Sequence, residues 1–236
     1  MQTTVLEKVK GGVAYRGYKG KGGGSARQPV EAPDSLHSVS YANVLDMLSE
    51  GPIEGLVNGL QSVYLDGTPV QNENGTLNFD GVKFDFRNGT QDQDYIPGFP
   101  AAQNTAGIGV ELVYGTPWIR AVSRKELSAL RLTVGVNGLS KANTENGDIN
   151  GYRVAYEIDL QTAGGPWQTV VSSAFSGKTT QQYRRSHRIE LPFSITGWAV
   201  RVRRLTPNAN SATIADTTII ESITEIVDAK FRYPMT

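Results

Sequence analysis

The second half of the chain alternates apolar and polar residues with a period of two, and this pattern most constrains its fold. The alternation is clearest in residues 130–136 and 152–160, where every second residue is apolar. Successive side chains of a strand point to opposite faces, so the pattern predicts strands that bury one face. Shorter signals follow at 167–171, 179–191, 198–205 and 217–228. Gly, Asn and Pro turns separate these runs and no long helical pattern lies between them, which favours a β-sandwich.

The sandwich is expected to span residues 118–216. The chain contains no cysteine, so the disulfide of an immunoglobulin domain is excluded and a fibronectin-like sandwich is the nearer analogy. One helical turn is expected at Ser123–Leu127, where Ser123 could cap and Glu126 occupies the third helical position.

Composition excludes several classes of protein. The 236 residues include 23 basic and 23 acidic side chains, and mean hydropathy is -0.31, so nothing global indicates a polyanion partner. No apolar run is long enough to span a bilayer, and the first residues lack the pattern of a signal peptide. The absence of cysteine also removes thiolate metal sites and cysteine nucleophiles.

Residues 1–34 are rich in glycine and carry six basic side chains before Glu31 against one acid, Glu7. Such a segment buries too little apolar surface to offset the entropy lost on ordering. It is expected to be a flexible basic arm, or an arm that becomes ordered on a neighbouring subunit. Gly20–Ser25 is not a phosphate-binding loop, because the spacing of that motif is missing.

A glycine-rich corner, Leu48–Gly59, separates two half-apolar runs, Val39–Leu48 and Leu60–Leu65. Gly51-Pro52 and Asn58-Gly59 are turn signals within it, and Asp66-Gly67 predicts a further reversal. The period of Val39–Leu48 fits a helix or a strand.

Residues 71–117 alternate short strand signals with turn residues. Asn74-Gly75 predicts a hairpin, and Val82–Phe86 predicts a strand that ends at Asn88-Gly89. Residues 92–107 are expected to form a loop, with a new strand at Gly109–Tyr114.

The chain resembles the N-terminal region of the lambda-type phage tail-tip attachment proteins, also called host specificity protein J. The most specific likeness is the block Ser49-Glu50-Gly51-Pro52-Ile53-Glu54-Gly55. Supporting matches occur in the same order along the chain: Leu45-Asp46, Ser62-Val63, Leu65, Thr68-Pro69-Val70, Phe86-Arg87, Gly89, Gln91, Gly177-Lys178-Thr179-Thr180, Arg201, Arg203-Arg204, Thr206-Pro207, Thr224–Asp228 and Tyr233-Pro234. The likeness covers nearly the whole chain from about Ser35 onward, and it favours a strand at Val39–Leu48.

The resemblance implies an all-β chain in which a tail-hub sheet or barrel is interrupted by inserted domains. Residues 35–70 would begin the hub, 71–117 would form a small β-rich insertion, and 118–216 would be the inserted sandwich. Residues 217–236 would return to the hub, which would be incomplete where the chain ends. Ile219–Phe231 is therefore expected to pair with the sheet that contains Val39–Leu65.

The sequence predicts no enzyme, no cofactor and no metal site. There is no G-x-S-x-G motif, and His187 lies among arginines that would disfavour its protonated form; it is expected to be a surface residue. Glu50 and Glu54 flank a turn, where a structural role is expected rather than acid–base catalysis. Asp92-Gln93-Asp94 lacks the spacing of an EF-hand, and the acidic loop Asn143–Asn150 is expected to be a solvated hairpin loop.

Basic clusters are the most informative polar feature. Arg184, Arg185 and Arg188 lie on one predicted strand; Arg201 and Arg203 share one face of another. These five arginines could pair with acids on neighbouring strands, form a subunit interface, or line a lumen through which DNA passes transiently. Arg204 falls on the apolar face of its strand and would need a partner there.

The leading hypothesis, from the resemblance, is a structural component of a siphophage tail tip. It implies a homotrimeric hub in the virion, made in the host cytoplasm, that closes the tail tube and connects to the receptor-binding central fibre. Its partners would be tail-tip ring proteins and the tape-measure protein, and its roles host attachment and DNA ejection without membrane insertion. The alternative is a free-standing sandwich that binds a glycan or a surface protein, which a row of exposed Trp118, Trp167 and Trp198 would favour.

Overall fold

The computed structural model describes residues 27–230, which fall into two compact units. One unit contains residues 27–44 and 97–229, and the other contains residues 45–96. Residues 27–230 contain no α-helix, so the predicted all-β class is confirmed. It follows that this part of the chain has no helix suited to crossing a bilayer.

Residues 59–62 form a single 3-10 turn, Gly59–Ser62, which precedes thirteen strands. The strands are β1 Tyr64–Leu65, β2 Thr68–Pro69, β3 Pro100–Glu111, β4 Trp118–Val122, β5 Ala129–Val136, β6 Ser140–Ala142, β7 Ile149–Asn150, β8 Tyr152–Thr162, β9 Gln168–Gly177, β10 Tyr183–Glu190, β11 Trp198–Arg204, β12 Ile214–Ala215 and β13 Thr218–Asp228.

Two four-stranded antiparallel sheets form the sandwich. One sheet has the order β10-β5-β13-β3 and the other has the order β4-β11-β8-β9. The strands β12-β6-β7 form a small third sheet, which is not paired with a strand of the other two. This arrangement agrees with the predicted fibronectin-like sandwich.

The core lies between the two sheets and follows the alternation in the sequence. Leu130, Leu132, Val134 and Val136 of β5 are fully buried, as are the inward residues of β8 and β11. Tyr156 and Phe175 pack with ring centroids 5.2 Å apart. Burial of each large apolar side chain contributes about 1.5–3 kcal/mol, which makes these strands the stable part of the chain.

The sandwich begins earlier than residue 118, because β3 belongs to it. Residues 100–107 were expected to be loop, yet Pro100–Glu111 forms a 12-residue strand paired with β13. Most of β3 is exposed on both faces and its residues are small or polar, so they show no apolar alternation. The strand expected at Gly109–Tyr114 is therefore the end of β3.

β13 corrects the expected path of the chain after residue 216. Thr218–Asp228 pairs with β3 on one side and β5 on the other, at the centre of a sandwich sheet. The expected pairing of Ile219–Phe231 with the sheet of Val39–Leu65 is therefore wrong for the strand that the structure describes. Residues 231–236 lie outside the described residues.

Residues 27–37, here called the strap, lie along the sandwich. Glu31 forms a parallel bridge with Ile149, and Leu36 packs against the core. The expectation of a flexible arm is wrong for residues 27–34, since distant residues of the sandwich hold them; residues 1–26 lie outside the described part.

The unit of residues 45–96 contains little regular structure. β1 and β2 form the hairpin predicted at Asp66-Gly67, whose φ angles of 49° and 75° suit a tight hairpin turn. A bridge between Gln71 and Leu77 confirms the turn at Asn74-Gly75. The strand expected at Val82–Phe86 does not form, because no neighbouring strand supplies hydrogen bonds there.

Two other short predictions are also wrong. Val39–Leu48 is neither helix nor strand but irregular chain without strand pairing. Ser123–Leu127 forms a non-helical turn in which Arg124 binds Glu126 and Glu225. Glu126, which was expected at the third position of a helix, therefore forms an ion pair instead.

Candidate functional site

Arg201 and Arg203 lie on the outer face of β11 and converge on one carboxylate. Arg201 Nε is 2.9 Å and Arg203 Nε is 2.7 Å from Asp159 Oδ2, and Arg203 also contacts Glu157 at 2.7 Å. The Asp159 side chain is only 1% exposed. Burial alone would raise the pKa of Asp159, but hydrogen bonds from Arg203, Thr169 and Arg201 outweigh it and lower that pKa. This cluster is a cross-strand network satisfied within the chain.

The three arginines of β10 separate by strand face. Arg184 points outward, with Nε 3.2 Å from Glu221 Oε2. Arg185 points inward, where Nη1 donates to Ser173 Oγ and the Ala174 carbonyl and the guanidinium lies 5.3 Å from the Phe175 ring centroid. Arg188 contacts Glu190 at 2.6 Å and the buried Asp228 at 2.7 Å. All five candidate interface arginines thus have partners within the chain, and their interface role stays a prediction.

Arg204 is buried in the sandwich, as its position on the apolar face of β11 predicted. Its guanidinium contacts Asp216 Oδ2 at 2.5 Å and donates to the carbonyl oxygens of Asp216 and Thr206. Thr218 Oγ1 accepts a further bond of 3.1 Å. The predicted need for a partner is confirmed, because every arm of the guanidinium is bound.

The tryptophans do not form an exposed row. Trp198 is buried and its Nε1 donates to the Pro192 carbonyl at 2.9 Å. Trp118 packs against the core, and Arg201 covers Trp167 with its guanidinium 4.5 Å from a ring centroid. The feature that would favour a glycan-binding module is therefore missing from these three side chains.

The block Ser49–Gly55 forms a turn in the unit of residues 45–96. Ile53 N donates to the Asn88 carbonyl at 2.9 Å, and Asn88 Nδ2 donates to the Glu54 carbonyl. A Cβ on Gly89 would lie 3.2 Å from the Pro52 Cα, and Gly89 has a φ of 87°. The sequence predicted turns at Gly51-Pro52 and at Asn88-Gly89, but it did not predict that the two turns contact each other. Glu50 and Glu54 are exposed, in line with a structural role.

His187 is half-buried between the sheets rather than at the surface. Its Nε2 lies 2.7 Å from the Tyr156 hydroxyl. Burial lowers the pKa of His187 and the Arg185 charge lowers it further, in the predicted direction. Residues 27–230 contain no group of three or more metal-ligating side chains.

The contacts of the strap were missed by sequence reasoning. Lys178 Nζ lies 2.7 Å from both Glu31 and Asp34, and Asp34 also accepts from the backbone and hydroxyl of Thr180. Arg27 and the Val30 amide bind Asp148. Two glycines allow the strap to approach closely: a Cβ on Gly177 would lie 2.5 Å from Ser35 Oγ, and a Cβ on Gly147 would lie 2.8 Å from Pro29 Cγ.

Solved structures with a similar chain path give low scores. A protein from Sulfurospirillum deleyianum has a TM-score of 0.30 at 12% identity and covers 51% of this chain and 96% of its own. The coat protein of Tobacco streak virus has a TM-score of 0.28 at 10% identity and covers 57% of this chain and 91% of its own. Scores at this level carry no argument about function.

Sequence comparison is far more specific. Tip attachment protein J of Escherichia phage SECphi4 is 43% identical over 93% of this chain, and that of Escherichia phage SECphi27 is 37% identical over 92%. The chain spans only 19% and 18% of the length of these two relatives. The family model of the FNIII-A domain of tip attachment protein J matches residues 102–229, which is most of the sandwich and more than half of the chain. The chain therefore belongs to the tip attachment protein J family and contains its FNIII-A domain.

Proposed function

We propose that this chain is a structural segment of a phage tail tip that takes part in host attachment. The observation that carries the proposal is the identity of 37–43% to proteins named tip attachment protein J, which extends over both units of the chain. In this proposal the chain forms part of a trimeric hub that closes the tail tube and connects to the receptor-binding fibre. The hub contacts the tail-tip ring proteins and the tape-measure protein, and DNA passes through it during ejection.

The distribution of apolar surface supports a role in assembly. Residues 45–96 bury Val70 but expose several large apolar side chains, among them Val57, Tyr64 and Leu77. Large apolar side chains left exposed in one unit are what a region covered by a partner would present. We propose that residues 35–70 are hub and 71–117 an insertion, and that the rest of the hub covers this surface.

The placement of the protein in the virion can be tested directly. Antibodies raised against residues 97–229 and coupled to gold are expected to label intact virions at the distal end of the tail. Virions incubated with pre-immune antibodies are the control. Label along the tail tube or on the head, with none at the tip, would contradict the proposal.

The trimer is tested separately by the mass of the native chain across a range of concentrations. A stable threefold mass would support the proposed hub. A monomer at every concentration, together with a monomer of a longer chain that includes the following residues, would contradict the trimer while leaving the placement test intact.

A further inference from the structure

The outer edge of β3 is the longest free strand edge of the sandwich within residues 27–230. β3 is the terminal strand of its sheet, and within residues 27–230 no strand, bridge or backbone hydrogen bond occupies its outer side. Twelve residues long, it carries no charge from Pro100 to Val110. We call the outer side of Pro100–Glu111 the acceptor edge.

Two of the other three terminal strands carry charges, and the third, β9, is uncharged over its ten residues but has one carbonyl bound by an arginine. β10 carries three arginines, a histidine and a glutamate, β4 has five residues and includes Arg120, and the β9 carbonyl of Ala174 accepts a bond from Arg185. Charged residues, short length and covering side chains are the usual means by which proteins prevent strand addition. The acceptor edge has none of these from Pro100 to Val110, although its pairing with β13 is irregular at two places, between Val110 and Gly107 and between Ala102 and Pro100, and Pro100 has no N–H to donate.

An unpaired edge is a row of backbone N–H donors and C=O acceptors, and the group that satisfies such a row is another extended chain. Small and uncharged side chains on β3 set no requirement for a charged partner strand. The occupant is therefore an extended, nearly uncharged segment of about ten residues, given the rise of about 3.3 Å per residue in a strand.

One segment of this chain has these properties and forms no strand pair, although its Asn43 side chain donates to the Gly98 carbonyl of the same copy at 3.3 Å. Residues 38–48, here called the donor segment, contain no helix, strand, turn or bend, form no strand pair and carry a single charge, Asp46. Five large apolar side chains within it are 62–83% exposed: Val39, Tyr41, Val44, Met47 and Leu48. The period of its sequence is compatible with a strand, and a run without turns and with one charge suits strand addition.

We propose that the donor segment of one copy of this chain pairs with the acceptor edge of a second copy. Each copy then offers one donor and one acceptor, so the contact is head-to-tail and can close into a ring, including a ring of three. The inference rests on the proposed self-association of the chain and assigns the contact that produces it.

The natural absence of cysteine makes the contact testable by disulfide crosslinking. Chains with Ala102→Cys are mixed with chains with Val44→Cys or Asn43→Cys, which place a thiol on either face of the donor segment. Adjacent strands bring Cα atoms to about 4.5–5.5 Å, within the range that a disulfide requires. Covalent dimers of unlike chains should form about tenfold faster than in the control mixture, in which Ser172→Cys on β9 replaces Ala102→Cys.

A second variant tests the contact without oxidation. Ala102→Lys places a charge on the exposed acceptor edge without touching the core, and the dissociation constant of the assembly should rise about tenfold or more. Ser172→Lys on β9 is the matched control and should leave it unchanged.

Three results would overturn the inference. Ala102→Cys chains that crosslink mainly to one another would show edge-to-edge pairing of two β3 strands. A chain with both Ala102→Cys and Val44→Cys that closes its own disulfide would show pairing within one copy. A monomer at all concentrations would also refute it, and so would an oligomer that is insensitive to Ala102→Lys and forms no disulfide between unlike chains. In either case, gold labelling at the tail tip would still support the proposed function.

Discussion

The sandwich and the unit of residues 45–96 show two different ways in which a chain can be ordered. The sandwich strands pair in two four-stranded sheets and bury a continuous apolar core. Residues 45–96 bury one large side chain, Val70, and are organised by tight turns and backbone hydrogen bonds. The sandwich thus contains its own stabilising contacts, whereas the other unit exposes large apolar side chains such as Val57 and Tyr64. The predictions below compare matched side chains in the two units.

The largest effect is expected from a buried arginine of the sandwich. Arg204→Ala should lower the free energy of unfolding by about 3–5 kcal/mol, because it leaves Asp216 buried without its cation. Arg87→Ala in residues 45–96 removes a partly exposed pair with Asp85 and bonds to the carbonyls of Phe86, Asp94 and Tyr95, and should lower it by about 1–2 kcal/mol. Calorimetry measures both variants, since the three tryptophans all lie in the sandwich and their fluorescence would report only Arg204→Ala; equal losses would refute the contrast.

A smaller but clear contrast is expected between two leucines. Leu132 is 0% exposed and Leu77 is 52% exposed. Leu132→Ala should reduce stability by about 2–5 kcal/mol, since it opens a cavity in the core. Leu77→Ala should stay within about 0.5 kcal/mol. Thermal unfolding by calorimetry reports both variants; a cooperative loss of stability in Leu77→Ala would show that residues 45–96 have a core of their own.

The sequence predicted the sandwich where strands bury one face. The inward residues of β5, β8 and β11 are apolar except for Arg204, so the alternation of polarity located these strands. It also placed Arg204 on the apolar face of β11, where the structure buries it. β3 escaped detection because exposure on both faces removes the selection for alternating polarity. The same reasoning missed the place of β13, since Ile219–Ile226 fits any sheet and the pattern does not encode the partner strand.

Contacts between distant residues explain the other failures. The strap depends on Lys178, more than 140 positions from Asp34, and no local pattern indicates that pair. The arginines were recognised as polar features, but the sequence left open whether an acid of the same chain or another subunit would face them. Asp159 faces Arg201 and Arg203 only because β8 pairs with β11 in one register.

The comparison extends to pH, because residues 45–96 contain no histidine whereas His187 lies inside the sandwich. Burial and the Arg185 charge lower the pKa of His187 from 6.5, so the folded state binds its proton less well than the unfolded state does. This contribution to stability is complete above about pH 6.5 and is lost as pH falls through the lower pKa of the folded state.

His187→Gln should remove this part of the pH dependence, since glutamine does not titrate and can still bond to Tyr156. Unfolding free energies of both proteins between pH 8 and pH 5 provide the measurement. His37→Gln is the control, because His37 is exposed in the strap. Equal slopes for the His187→Gln variant and the parent chain would show that burial of this imidazole has no effect on folding.

The smallest effect is expected in the strap, which combines features of the two units: it places Leu36 on the core but is held mainly by ion pairs. The Lys178 hydrogen bond, with those from Thr180, lowers the pKa of Asp34 from 3.8 to about 2. A lowered carboxyl pKa stabilises the docked strap above about pH 4, and this stabilisation is lost between pH 4 and pH 2.

Hydrogen exchange of the Ser35 and Leu36 amides should therefore increase in that window, relative to its intrinsic rate, before the amides of β5 lose protection. Asp34→Asn should show the faster relative exchange already at pH 4, because it keeps the shape of the side chain but not its charge. Strap amides that remain as protected as those of β5 down to pH 2 would mean that Leu36 and the backbone bonds to Lys178 hold the strap, and that apolar burial orders this segment as it orders the sandwich.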